Sequence, residues 1–170
     1  MSDAVGVVIT GVYGVGKSTV VEEMAGMLEQ EAVSYGAIDV DWLWWFEVSG
    51  LSDDESRRVL FANLESVVGN YLDVGVVRFL LAWSIRDLSD LDALRAAVPL
   101  PLQVVRLTAP IAVIKQRLTS AVTAERKDDL RSAERWLGER TGSNLGDVVV
   151  ANDRTIREVA AEILDWLEWH

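Results

Sequence analysis

Residues 5–18 read Val5-Gly6-Val7-Val8-Ile9-Thr10-Gly11-Val12-Tyr13-Gly14-Val15-Gly16-Lys17-Ser18. The first six are a short apolar run of the kind that forms a buried strand. Gly11 to Ser18 then fits the phosphate-cradling pattern G-x-x-x-x-G-K-[ST]. Beyond it Val20, Val21, Met24, Ala25 and Leu28 recur at helical spacing. Strand, glycine loop and helix in that order place bound phosphates at a helix N-terminus, where unpaired N–H groups and the helix dipole favour anions. Gly11, Gly14, Val15 and Gly16 form the cradle, because backbone without bulky side chains can approach phosphate oxygens closely. Lys17 can reach the β- and γ-phosphates, the Ser18 hydroxyl suits Mg²⁺, and Thr19 falls beside the α-phosphate. The competing reading is a plain strand-turn-helix, which needs neither the lysine nor the hydroxyl.

The same alternation continues outward from this segment. Ser34 to Asp39 predicts a second strand, and Ser52-Asp53-Asp54-Glu55 predicts the capping box of a long helix ending near Gly75. Val76 to Ala82 is a third strand, followed by a helix from Asp87 to Ala97 that Pro99 and Pro101 stop. Gln103 to Leu107, a helix after Pro110, a charged stretch over 122–131, a short helix over roughly 131–139, a strand at Val148 to Ala151 and an amphipathic helix from Thr155 complete the order. The predicted fold is α/β: a three-layer sandwich around a five-stranded parallel sheet. It forms one domain over residues 1–170, because that length buries roughly 70% of the unfolded surface around a single core.

Composition narrows the function classes. With 27 acidic and 16 basic residues the net charge is −11, which disfavours long polyanions such as DNA or RNA but not a nucleotide held by a few focused cations. No cysteine is present, so disulfides, thiolate metal sites and cysteine nucleophiles are excluded. The start Met1-Ser2-Asp3-Ala4 lacks a signal pattern and no apolar run approaches ~20 residues, so no membrane partner is expected and the predicted location is cytoplasmic. The lone histidine, His170, is terminal, so a histidine base is not expected.

With these residues in view, the chain resembles the small P-loop kinases of nucleoside-monophosphate-kinase type, a group that includes adenylate, shikimate, gluconate and adenylylsulfate kinases and chloramphenicol phosphotransferase. The resemblance rests on Gly11–Ser18, on Ile38-Asp39-Val40-Asp41, on Gln116-Arg117-Leu118, and on Val149-Val150-Ala151-Asn152-Asp153 leading into the last helix. It implies a lid over approximately 120–135 and an acceptor-binding helical region over approximately 42–74. It further implies that Arg117 stacks on an adenine and that Asn152 lies at the edge of the base. A GTPase base-reading motif Asn-Lys-x-Asp is absent, and the third strand ends in Trp83-Ser84-Ile85-Arg86 rather than in an acidic residue.

Phosphoryl transfer is mostly positioning and charge neutralisation. Asp39 and Asp41 follow the second strand, where ligands of open α/β sheets bind. Either can align and deprotonate an acceptor hydroxyl or hold a Mg²⁺-bound water, with Asp39 preferred as the base; a turn or capping aspartate is the bland alternative. Arg126 and Arg131 are candidates for closing over phosphates and acceptor, unless Glu125, Asp128 and Asp129 merely pair with them. Trp42, within Trp42-Leu43-Trp44-Trp45, is a candidate acceptor wall, and Arg86 a candidate acceptor contact or an ion-pair partner of Asp87 or Asp90. The expected activity is an ATP- and Mg²⁺-dependent transfer of phosphate to a small-molecule hydroxyl. The alternatives are a nucleoside monophosphate kinase and a nucleotide-binding regulatory module without catalysis. The expected partners are a nucleoside triphosphate and the acceptor, with the chain a monomer or homodimer.

Overall fold

A computed structural model describes residues 4–119 and 125–169, with the side chains of 125–128 outside the description. The chain runs β1 (Val5–Thr10), α1 (Lys17–Gln30), β2 (Tyr35–Asp39), a 3₁₀ turn (Val40–Trp44), α2 (Asp53–Asp73), β3 (Arg78–Ala82), α3 (Leu88–Ala97), β4 (Leu102–Thr108), α4 (Ile111–Thr119), α5 (Glu125–Glu139), β5 (Val148–Ala151) and α6 (Ile156–Leu167). The five strands form one parallel sheet in the order β2-β3-β1-β4-β5. From β1 the chain crosses to β2 on one side, and after β3 it crosses back to β4 on the other. The crevice beyond the strand ends at that reversal is where such sheets place their ligands.

Alternation along β1 explains the two cores. Val7 and Ile9 face a cluster built with α1, α4, α5 and α6, while Val8 faces a cluster built with α2 and α3. A sheet covered on both faces favours apolar residues at successive positions, which is why β1, and β3 after Arg78, read as apolar runs.

The helix ends follow the predicted chemistry. Ser52 accepts from the Glu55 backbone N–H and the Glu55 carboxylate accepts from that of Ser52, a reciprocal box repeated by Thr155 and Glu158. Asp87 caps α3 by accepting from the Asp90 N–H. One boundary differs from the sequence prediction. α5 begins at Glu125, not near 131, because Leu130, Ala133 and Trp136 share a face packed on the α1–α6 core, which supports helix through the charged stretch.

Candidate active site

Gly11, Gly14 and Gly16 hold φ of 144°, 78° and 101°, so the loop between β1 and α1 wraps through conformations that disfavour side chains. Gly16 shows the stricter demand: a Cβ there would lie 2.5 Å from Asn152 Nδ2. Asn152, fully buried just beyond β5, donates from that nitrogen to the Val15 carbonyl at 2.7 Å. Arg117 on α4 donates to the same carbonyl at 2.9 Å and to the Asn152 carbonyl at 3.4 Å. Two side chains from distant strand and helix ends thus fasten the middle of the loop.

Lys17 opens α1 and is only 8% exposed. Its ammonium donates to the Val12 carbonyl at 3.2 Å and lies 5.3 Å from the centre of the Tyr13 ring. Burial lowers its pKa from the ordinary lysine value, opposed by the negative charges of Asp41, Asp39 and Asp129. The next residue, Ser18, donates from Oγ to Asp39 Oδ2 at 2.6 Å, and the Asp41 N–H donates to Asp39 Oδ1 at 3.2 Å. Both oxygens of Asp39 are therefore engaged. Loss of surrounding water raises the Asp41 pKa, with Asp39 and Asp129 adding to the effect and Lys17 opposing it. The Asp41 side chain still reaches solvent, which screens these charges.

These groups surround a cleft of about 510 Å³ lined by Tyr13, Lys17, Ser18, Asp41, Arg117 and Asp129, with Thr19 at its edge. Sequence reasoning treated Asp129 only as a possible partner for nearby arginines, and Tyr13 only as a variable loop position. Helical spacing from Leu130, Ala133 and Trp136 was the available clue that Asp129 lies on a structured helix.

The remaining candidates fall in different places. Arg86 grips Asp90 with both ends of its guanidinium, Nε to Oδ2 at 2.8 Å and Nη2 to Oδ1 at 3.0 Å, while Arg57 reaches Asp90 from α2 at 2.5 Å. Asp90 is 1% exposed. Burial alone would raise its pKa, but hydrogen bonds from Arg86 and Arg57 overcome that and hold it below the ordinary carboxylate value. Trp42 and Trp45 are largely exposed, their rings 4.8 Å apart, beside Leu43 and Trp44, which pack on the α2–α3 core. Asn63 on α2 donates to the Leu43 carbonyl and steadies this turn. Arg131 is exposed on α5, and the Arg126 side chain lies outside the described residues. At the end of β3, where an acidic residue was missing, Ser84 Oγ donates to the Gly11 carbonyl and Thr10 Oγ1 accepts from the Ile85 N–H.

The donor set fits Mg²⁺. Ser18 and Asp39 supply hard oxygens at the cleft, and Mg²⁺ takes few protein ligands beside water and phosphate. Among the described residues no group of three or more histidine, cysteine or acidic side chains is placed to hold a metal. Nor, among them, is any helix long and apolar enough to cross a membrane.

No protein-family model matches the sequence, and no curated protein matches it. Solved structures do match its fold. A sugar kinase from Janibacter sp. HTCC2649 is 19% identical over 97% of this chain and 95% of its own, with a TM-score of 0.68. The Mycobacterium tuberculosis APS kinase, solved with AMPPNP and APS, is 20% identical over 99% of each chain, with a TM-score of 0.67. The Deinococcus radiodurans tunicamycin resistance protein is 15% identical over 96% of this chain and 95% of its own, with a TM-score of 0.65. The fold is therefore that of the small P-loop kinases, as the motif order anticipated.

Proposed function

We propose that the chain is a kinase that moves the γ-phosphate of ATP, with Mg²⁺, to a hydroxyl of a small molecule. The observation that carries this is the set Lys17, Ser18, Asp39 and Asp41, gathered beside the glycine loop by the start of α1 and the end of β2, with Ser18 and Asp41 both donating to Asp39. In this reading the cradle N–H groups and Lys17 neutralise charge on the β- and γ-phosphates. Thr19 contacts the α-phosphate. Ser18 and Asp39 hold the metal side, where Mg²⁺ supplies charge neutralisation when bound. Asp41, not Asp39, is assigned as the base: Asp39 already accepts from Ser18 and from the Asp41 N–H, whereas Asp41 faces the cleft with a raised pKa. Arg117 and Asn152 set the loop and border the base. Trp42 with Trp45 walls the acceptor side. Arg86 is committed to Asp90 and acts there by positioning the end of β3, while Arg131 closes from α5.

The test is ADP release from Mg·ATP across a panel of sugar acids, shikimate-like alcohols, adenylylsulfate, nucleoside monophosphates and hydroxyl-bearing antibiotics, with Lys17→Ala as the blank. Acceptor-dependent release absent from the blank supports the proposal and names the substrate class. Tight nucleotide binding without release from any acceptor supports a regulatory module instead.

A further inference from the structure

A second cavity, of about 360 Å³, lies behind the glycine loop, under the turn that joins α5 to β5. The two cavities are divided by the loop and by Trp136, whose ring lies 5.8 Å from that of Tyr13. Its polar lining is Arg106 on β4, Arg140 just after α5, and the hydroxyl residues Thr10, Thr108, Thr141 and Ser143. Leu107, Ile114 and Trp136 make an apolar floor.

The charge here is unusual for this molecule. The chain carries −11 overall, yet among the described residues the lining contains two arginines and no acid. Arg106 Nε is sealed from solvent without a hydrogen-bond partner, and neither Arg106 nor Arg140 forms an ion pair among the described residues. The other arginines near the strand ends, Arg57, Arg86 and Arg117, all have partners. Two cations without an acidic partner at one cavity of an acidic chain leave positive charge that an anion in the cavity can pair.

The backbone is bent to build this place. Arg140 holds φ of 54°, a left-handed conformation uncommon for a residue with a side chain, as Thr141 N–H closes α5 onto the Trp136 carbonyl. Gly142 follows with φ of 65°, and a Cβ on it would stand 2.7 Å from the Ile85 carbonyl, so only glycine lets the turn close over the exit of β3.

We infer that this cavity is a binding site for a small organic anion: an acidic group paired with Arg106 and Arg140, and an apolar body on the Trp136 floor. It is separate from the nucleotide cleft and does not depend on the kinase assignment. Because Gly11 and Val12 form its back wall, and the Val12 carbonyl receives the Lys17 ammonium, its occupant would rest against the support of the phosphate loop.

Benzoate is the probe, because it carries one carboxylate on a flat apolar body, and benzylammonium is the cationic control. The readout is the Trp136 indole Nε1–Hε1 resonance, which lies at the cavity floor and is kept in every variant, in the ¹⁵N-labelled chain with saturating ADP present. Benzoate at millimolar concentration is expected to shift that resonance and saturate, while benzylammonium does nothing. Arg106→Gln should weaken benzoate binding about tenfold or more and leave ADP affinity unchanged. Should Arg106→Gln fold poorly, Arg140→Gln, at an exposed position, must show the same loss. An unmoved resonance, an equal response to benzylammonium, loss of the response when ADP is added, or wild-type benzoate binding by both folded variants would overturn the inference.

Discussion

Ser18 Oγ donates to Asp39 Oδ2 at 2.6 Å, tying the first turn of α1 to the end of β2 across 21 residues of sequence. A hydroxyl and a carboxylate in contact beside a phosphate cradle make a hard-oxygen site, and the bond fixes both before any ion arrives. Ser18→Ala and Asp39→Asn are therefore expected to weaken Mg²⁺-dependent ADP binding by about 10–100-fold, with metal-free ADP binding changed far less. Calorimetric titration with and without Mg²⁺ checks this; equal losses in both conditions would refute it.

Lys17 is buried with a depressed pKa, so its charged form opposes folding. That penalty is full below the folded pKa and vanishes as pH rises to the ordinary value of 10.5. Lys17→Met should consequently raise the melting temperature at neutral pH, with the gain shrinking as the pH approaches 10.5. The same variant should lose turnover by about 10²–10³-fold or more. A melting temperature that falls at neutral pH would contradict the burial argument.

Asp41 carries the opposite sign of charge and a raised pKa. Folding protects its protonated form, so the ionised carboxylate disfavours the native state above the folded pKa, and the effect is gone below 3.8. Asp41→Asn should stabilise the free protein at neutral pH, not at strongly acid pH, while reducing kcat about 10²-fold or more with KM for ATP little changed. Unchanged kcat would return the role of base to Asp39.

Asp90 receives Arg86 and Arg57 from either side, in a position almost without solvent. Removing it leaves Arg57 and the half-exposed Arg86 without their shared acceptor, and Asp90→Ala should cost about 1–3 kcal/mol in urea unfolding at neutral pH. Its depressed pKa gives stability that is fully present above 3.8 and lost as pH falls through the folded value, so the gap between wild type and variant should narrow in acid. A gap independent of pH would show that packing, not charge, holds this corner.

Asn152 and Arg117 converge on the Val15 carbonyl. Asn152→Ala removes one of the two donors and opens space beside Gly16, and it should cost about 1–3 kcal/mol of stability and about tenfold in ADP affinity. Thermal melts with and without ADP measure both effects.

What was legible in advance was local. Gly11–Ser18 between an apolar strand and an apolar-faced helix carries its own backbone demands and its own ligand, and the Ser52–Glu55 and Thr155–Glu158 boxes are complete within four residues. The start of α5 was not legible, because its support comes from a core that Leu130 and Trp136 meet only after the chain has folded. The preference for Asp39 over Asp41 as base rested on sequence position alone, and the partners of Asp39 argue the other way.

By itself the sequence determined the order of strands and helices, the two-sided burial of the sheet and the place of the phosphate loop, since periodicity, glycine placement and capping act over a few residues. Tertiary structure alone decided the partners that charged side chains find in distant segments: Arg57 given to Asp90, Arg117 to the Val15 carbonyl, Arg106 to none among the described residues. Charge pairing depends on distances between segments far apart in the chain, and at such distances the sequence specifies a charge but not its neighbour.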